Sequence, residues 1–282
     1  MSTRNDIRST GGLFPGQLAG QSAMGNASSR TGFSSRLRPA SGGSIGGALP
    51  YLGLVGGLLA LALAIAPIAG LWGLPACIAL GLYAIVVTFI VVGLQNHAPG
   101  RFGVANGVTL LRAAAVAFLA GIATLEAPLP AALRGVVVEI GVLGLLLDGV
   151  DGWLARRGGL ASRFGARFDM ETDALSVLVF TLLLLRTGQA GAWVLAIGLA
   201  RYIFVGVGWL WPPLARELPQ SMRRKTICVV TVTALLVALM PIVPAASARM
   251  ICAAALVVLA YSFAADCVWS VRIWRVSKSE RA

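Results

Sequence analysis

The chain has 282 residues, of which 57% are hydrophobic and only 12% are charged, and its formal net charge is +12. This composition excludes an ordinary soluble domain and predicts an integral membrane protein with several apolar helices. The single histidine, His97, excludes a catalytic or metal site that needs several histidines. The basic residues lie in short stretches between apolar runs, so they indicate membrane topology and contact with anionic lipid or phosphate, and we expect no nucleic-acid partner.

The N-terminal third of the chain divides into a polar and an apolar part. Residues 1–48 are rich in Ser, Gly and Arg and show no apolar periodicity, which predicts a disordered cytoplasmic tail. No charged residue occurs between Ala40 and Gly100, an interval too long for one membrane span. Because glycines mark a break near 70–73, we predict two N-terminal transmembrane helices within 49–100, at about 49–70 and 74–95.

Six further apolar segments follow, and proline or glycine clusters separate most of them. We predict helices at about 104–124, 133–155, 165–187, 190–212, 225–243 and 248–273. The fold class is therefore all-α, a polytopic membrane helical bundle of about eight transmembrane helices. We divide it into the two N-terminal helices, a six-helix core at 101–275 and a cytoplasmic C-terminal tail at 276–282.

The distribution of basic residues predicts the orientation in the membrane. If the N-terminus is cytoplasmic, most of the 23 Lys and Arg residues fall on the cytoplasmic side. Only three fall on the opposite side, Arg134, Arg186 and Arg249. The positive-inside rule therefore places both termini in the cytoplasm, as expected for a multi-pass protein of a bacterial inner membrane.

Four aspartates lie at the junction of two predicted helices: Asp148, Asp151, Asp169 and Asp173. The first two are three residues apart and the last two are four apart, so each pair shares one face of its helix. Gly158 and Gly159 interrupt the pattern between the pairs, which predicts a helical hairpin on the cytoplasmic side with two carboxylates facing inward from each arm. An ionised Asp at the centre of a membrane helix costs about 2.5 to 3.5 kcal/mol on insertion scales, and hard divalent cations such as Mg²⁺ offset that cost.

The stretch follows the pattern Asp148-x2-Asp151-Gly152-x2-Ala155-Arg156-x8-Gly165-x3-Asp169-x3-Asp173. All eight fixed positions resemble the signature of the CDP-alcohol phosphatidyltransferase family. The resemblance implies a transferase of phospholipid biosynthesis that moves a substituted phosphoryl group from a CDP-linked lipid, usually CDP-diacylglycerol, to a hydroxyl acceptor and releases CMP. It also implies two divalent cations, Mg²⁺ or Mn²⁺, and a homodimer.

The same resemblance implies roles for individual residues. The four aspartates would bind the metals, and Asp173 would also be the general base at the acceptor hydroxyl. Four positions would accommodate the cytidine nucleotide, Gly152, Ala155, Arg156 and Gly165, although small residues also suit close helix packing. The segment ANGVTLLR resembles the polar start of the family's first core helix and adds Asn106 and Thr109, with Ala105 where the family usually has proline.

Three basic residues are candidates for binding a donor or acceptor phosphate: Arg112, Arg201 and Lys225. An arginine inside a span usually faces a polar interior and has a partner, and for Arg201 the alternative is a structural pair with Asp266. The acceptor stays open, because enzymes similar to this one use glycerol 3-phosphate, inositol phosphate, serine or phosphatidylglycerol.

Two other classes of membrane protein also use acidic residues. An intramembrane prenyltransferase has two acidic motifs far apart in sequence, whereas these four aspartates lie within 26 residues. A divalent-cation transporter is expected to spread its acids over several helices and does not need Gly152, Ala155 and Arg156 beside them.

Overall fold

The computed structural model describes residues 43–65, 73–96, 102–126, 129–157, 162–211 and 222–279. Across these residues the fold is all-helical and contains no strand. The helices are α1 (Gly43–Ile65), α2 (Leu74–Asn96), α3 (Val104–Ile122), α4 (Ala131–Arg157), α5 (Arg163–Arg186), α6 (Leu195–Leu210), α7 (Met222–Leu239) and α8 (Ala245–Ser279), with a short 3-10 turn at Ala192–Val194 before α6. The predicted fold class is therefore confirmed.

The helix ends differ from the predicted ones by a few residues. Helix α1 begins at Gly43, inside the segment predicted as a tail, and α8 continues to Ser279, inside the predicted C-terminal tail. These helices extend into residues assigned to the tails, because charge and glycine content at a helix end do not by themselves stop a helix. The domain boundaries themselves stay predictions. The rest of the predicted N-terminal tail and the glycine pair between α4 and α5 lie outside the described residues.

Five described helices are long and apolar enough to cross a membrane, namely α1, α2, α3, α6 with its 3-10 turn, and α8. Helices α4, α5 and α7 are also 18 residues or longer, but they carry the charged motifs, which lower their mean hydropathy. The chain is therefore a polytopic membrane bundle in which the less apolar helices carry the polar chemistry.

Helix α3 is the central helix of the bundle. In its apolar window 67% of the residues are buried, against 22% in each of the other four candidate spans. It packs against α1, α2, α4 and α5. A polar side chain on α3 therefore faces protein on most sides, and its partners must come from neighbouring helices.

The two N-terminal helices, α1 and α2, pack tightly on α3. A Cβ atom built on Gly107 of α3 would lie 2.6 Å from the ring of Tyr51 on α1, and one on Gly121 would lie 2.6 Å from the carbonyl oxygen of Pro75 at the start of α2. Only glycine allows these close approaches. Phe89 of α2 also stacks on the first turns of α5, with ring centroids 6.3 Å from those of both Phe164 and Phe168.

Helix α5 has defined signals at both ends. Ser162 caps its N-terminus by accepting a hydrogen bond of 2.9 Å from the backbone N–H of Gly165. Its C-terminus is followed by Gly188, whose φ of 69° lies in the left-handed region that glycine adopts most readily. The guanidinium of Arg186 in the last turn donates to the carbonyl oxygen of Leu125, which fixes this end of α5 against the end of α3.

Candidate carboxylate and metal-binding site

Three of the four predicted aspartates come together between α4 and α5. One carboxylate oxygen from each of Asp148, Asp169 and Asp173 lies within 4.8 Å of the other two. Asp148 is buried, and the other two are partly buried. The spacing of four residues places Asp169 and Asp173 on one face of α5, as predicted, and this face turns toward Arg112 of α3 and the carboxylate of Asp148.

The side chain of the fourth aspartate, Asp151, lies outside the described part of the structure, although its backbone is in α4. The same is true of the side chains of Ala155 and Arg156 in the last turns of α4, whereas Gly152 is half-buried. The roles that the sequence assigns to these positions stay predictions. The structure shows that these positions lie on α4, the helix that carries Asp148.

Arg112 of α3 lies among the three carboxylates. Its guanidinium nitrogens are 3.1 Å from Asp148 Oδ1, 2.8 Å from Asp169 Oδ1 and 2.5 Å from Asp173 Oδ1. Arg112 is only 5% exposed, so these charges interact in a medium that screens them weakly. One guanidinium therefore contacts three carboxylates there, and such a cluster of carboxylate oxygens favours cations.

The first turn of α5 meets the first turn of α3 beside this cluster. A Cβ atom built on Gly165 would lie 2.7 Å from Asn106 Oδ1 and 3.1 Å from Ser162 Oγ, so glycine is required for the present position of the Asn106 side chain. Two predicted nucleotide-binding residues, Asn106 and Gly165, are thus neighbours in space although they are far apart in sequence. Thr109, one turn further along α3, is buried and its hydroxyl donates to the carbonyl oxygen of Ala105.

The alternative of a structural pair between Arg201 and Asp266 is wrong. Arg201 of α6 donates instead to Glu171 of α5, with Nη2 2.5 Å from Oε1. Asp266 of α8 is paired with Arg223 at 2.5 Å and lies 3.8 Å from Arg224, both on α7. The sequence reasoning missed the partners of Asp266 because it considered only charges inside the predicted spans, whereas Arg223 and Arg224 precede one.

Lys225 is the remaining predicted basic residue. It is exposed at the start of α7 and interacts electrostatically with Asp169. The thiol of Cys228, on the next turn, interacts electrostatically with Asp173 and Asp148. The N-terminal turns of α7 therefore face the carboxylates. The sequence did not predict that Cys228 lies near this site.

The fold and the site define a class of protein, a membrane-embedded helical bundle with a carboxylate cluster around a buried arginine. A scan against protein-family models matches residues 102–262 to the CDP-alcohol phosphatidyltransferase family. The match covers more than half of the 282 residues, and the chain belongs to this family. No curated protein and no solved structure matches the chain significantly.

Membership establishes the coarse function. The protein is an enzyme of phospholipid biosynthesis that transfers a substituted phosphate group from a CDP-alcohol to an acceptor alcohol in a membrane. The resemblance noted in the aspartate motif is confirmed, and the prenyltransferase and cation-transporter alternatives are set aside. The matched segment begins after α2, so the two N-terminal helices lie outside it.

Proposed function

We propose that the protein transfers the phosphatidyl group of CDP-diacylglycerol to a hydroxyl acceptor and releases CMP, at the site formed by Asp148, Asp151, Asp169 and Asp173. The observation that carries this proposal is the convergence of three of these carboxylates, from two helices, around one buried cation, Arg112. Such a site suits a donor whose diphosphate needs positive charge close to it. The family assignment supplies the reaction class.

The residues present fit the divalent metals that the family uses. The donor set consists of carboxylate oxygens that lie within 4.8 Å of one another, and such hard oxygen ligands suit Mg²⁺ and Mn²⁺. The cluster already accommodates a positive charge, which supports its suitability for cations. We propose two divalent ions held by the four aspartates, which would neutralise the donor diphosphate and stabilise the charge that develops on the transferred group.

The chain's own residues would then move one proton and position two substrates. In this proposal Asp173 accepts the proton of the acceptor hydroxyl, whose oxygen forms a bond to the phosphorus atom that carries diacylglycerol. The bond between this phosphorus and the oxygen of the CMP phosphate breaks, and CMP leaves with the electron pair. This role is supported by the position of Asp173 in the carboxylate cluster beside Asp169 and Asp148.

The nucleotide would lie along the first turns of α3 and the hairpin of α4 and α5. Asn106 lies against Gly165 there, and Thr109 is on the same face of α3 at a spacing of three residues. Gly152, Ala155 and Arg156 would complete this subsite from α4. Arg112, Arg201 and Lys225 are kept as candidates for a donor or acceptor phosphate, with Arg201 available only if it leaves Glu171.

We further propose that the site opens to the cytoplasm of a bacterial cell, that both termini are cytoplasmic and that the protein works as a homodimer. The support for this orientation is the distribution of Lys and Arg along the sequence. Cytoplasmic access would give the site its CDP-linked donor and a soluble or lipid acceptor.

The test is CMP release by the purified protein with CDP-diacylglycerol and Mg²⁺ or Mn²⁺, with glycerol 3-phosphate, inositol phosphate, serine and phosphatidylglycerol offered separately. Acceptor-dependent CMP that is lost in Asp173→Asn supports the reaction and identifies the acceptor. Absence of CMP with every acceptor, from folded protein that binds Mn²⁺, would refute CDP-diacylglycerol as the donor. Full activity in Asp173→Asn would refute its role as the base.

A further inference from the structure

The position of Arg112 suggests more than a structural ion pair. Its guanidinium lies among the carboxylates of Asp148, Asp169 and Asp173, the same groups that the proposed function assigns to metal binding. We propose that Arg112 is the resident counter-ion of this site, and that divalent cations bind by displacing its guanidinium from the carboxylates. This inference rests on the proposed function, because it concerns the metal site proposed there.

Arg112 and a metal ion compete for the same three carboxylates. The carboxylate oxygens lie within 4.8 Å of one another, and the Oδ1 atom of each aspartate is already 2.5 to 3.1 Å from a guanidinium nitrogen. A metal ion requires carboxylate oxygens at about 2.0 to 2.1 Å in the case of Mg²⁺. The guanidinium and a metal between these oxygens therefore exclude each other.

Arg112 cannot relieve this competition by losing its charge, since a guanidinium stays protonated in proteins. Two positive charges in one buried site repel each other strongly because the surrounding helices screen them weakly. Arg112 is 5% exposed, so water does little to moderate this repulsion. The side chain must therefore move when a divalent cation binds.

The same face of α3 offers the released guanidinium a new position. Asn106, Thr109 and Arg112 recur every three residues and lie along one side of the helix. Asn106 and Thr109 are the positions proposed to meet the nucleotide, so the freed guanidinium would remain beside the donor's phosphates. Exchange of carboxylate partners for phosphate partners would keep the arginine paired in both states.

A fixed structural role for Arg112 makes the opposite prediction. If the guanidinium only held the carboxylates in place, removal of it would disorder the metal ligands and weaken metal binding. If it is a displaceable counter-ion, removal of it leaves the carboxylates without a competitor and strengthens metal binding. The direction of the change in metal affinity separates the two roles.

The experiment is titration of purified full-length protein with Mn²⁺, in which free Mn²⁺ is measured by its electron paramagnetic resonance signal. We expect Arg112→Gln to bind Mn²⁺ about tenfold more tightly than wild type, a change of about 1.4 kcal/mol. Arg112→Lys, which keeps the charge but has a single ammonium in place of the guanidinium fork, should fall between the two. The matched control is Arg249→Gln, an exposed arginine of α8 that donates to its own helix backbone, and it should bind like wild type.

Thermal unfolding of the same proteins provides a second measurement. We expect Arg112→Gln to unfold at a lower temperature than wild type in EDTA, because its carboxylates lack a counter-ion, and to regain most of the difference in saturating Mn²⁺. Equal or weaker Mn²⁺ binding by folded Arg112→Gln and Arg112→Lys, or an equal loss of stability with and without Mn²⁺, would overturn the displacement. Mn²⁺ binding by neither wild type nor variant would instead remove the proposed metal site itself, and this inference with it.

Discussion

Substitution of Gly165 by alanine tests how the first turn of α5 positions the proposed nucleotide site. The added Cβ would lie 2.7 Å from Asn106 Oδ1, whereas ordinary van der Waals contact begins at 3.4 Å, so the carboxamide must move by about 0.7 Å. A displacement of about 1 Å in a positioning group can lower a rate about 100-fold. We expect kcat/KM for the CDP-linked donor to fall about 10- to 100-fold, which corresponds to about 1.4 to 2.8 kcal/mol.

The stability of the protein should change little in this variant. Alanine is favoured over glycine inside a helix by about 1 kcal/mol, which offsets part of the strain at the new contact. The matched control is Gly149→Ala in α4, between Asp148 and Asp151, where a Cβ atom meets nothing within 4 Å. This control should keep both its unfolding temperature and its kcat/KM in the CMP-release assay.

A double-mutant cycle identifies the atom through which Gly165 acts. Asn106→Ala removes the carboxamide that the new methyl group would displace, so Gly165→Ala added to that background should cost less than about twofold further. If Gly165→Ala costs the same factor with and without Asn106, the methyl group obstructs the substrate itself. That result would refute the clash with Asn106 as the cause, although Gly165 would still be required for activity.

Three other substitutions test packing and pairing. Phe89→Ala removes two ring stacks that join α2 to α5 and should lower the free energy of unfolding by about 1 to 3 kcal/mol. The control Phe89→Tyr keeps the ring and should not lower it. Unchanged thermal stability of Phe89→Ala would mean that the N-terminal helices do not support α5. Gly198→Ala places a Cβ 2.7 Å from the backbone of α5 and should lower the free energy of unfolding by about 1 to 3 kcal/mol. In the control Gly206→Ala, on the same helix, the new Cβ meets nothing within 4 Å. Equal unfolding temperatures of the two variants would contradict the close approach at Gly198. Glu171→Gln removes the ion-pair partner of Arg201 and leaves the guanidinium in place, whereas Arg201→Gln removes the guanidinium itself. If Arg201 binds a substrate phosphate, only Arg201→Gln should raise the KM of that substrate. An equal rise of KM in both variants would indicate a purely structural pair.

The helices and the shared face of Asp169 and Asp173 could be predicted because their signals are local. Apolar runs long enough to cross a membrane define the spans, and a spacing of four residues determines that Asp169 and Asp173 share a face. The family resemblance predicts Asn106 and Gly165 as nucleotide-binding residues. It did not reveal that they contact each other, because their proximity depends on how α3 and α5 pack.

The ion-pair partners could not be chosen from the sequence with the same success. Arg112 was recognised as an arginine inside a span, but three carboxylates that it contacts lie on two other helices, and their register relative to α3 is set by tertiary packing. For Arg201 the sequence did contain a feature that indicates its partner. Glu171 is two residues after Asp169, about 200° around the helix from it, so it must leave the carboxylate site and face another neighbour. Helix α6, which follows α5 directly, is that neighbour.

The place of Arg112 in the chain also bears on how the protein is built during synthesis. An arginine alone at the centre of a membrane helix costs about 2.5 to 3.5 kcal/mol on insertion scales, and its partners on α5 emerge 57 and 61 residues later. At a translation rate of about 5 to 20 residues per second this delay lasts several seconds. Asp148, on the very next helix, arrives first, so α3 and α4 can enter the bilayer as a hairpin whose opposite charges already match. Lipid then meets Arg112 already paired with Asp148, and the further carboxylates of Asp169 and Asp173 join this arginine only when α5 packs on α3.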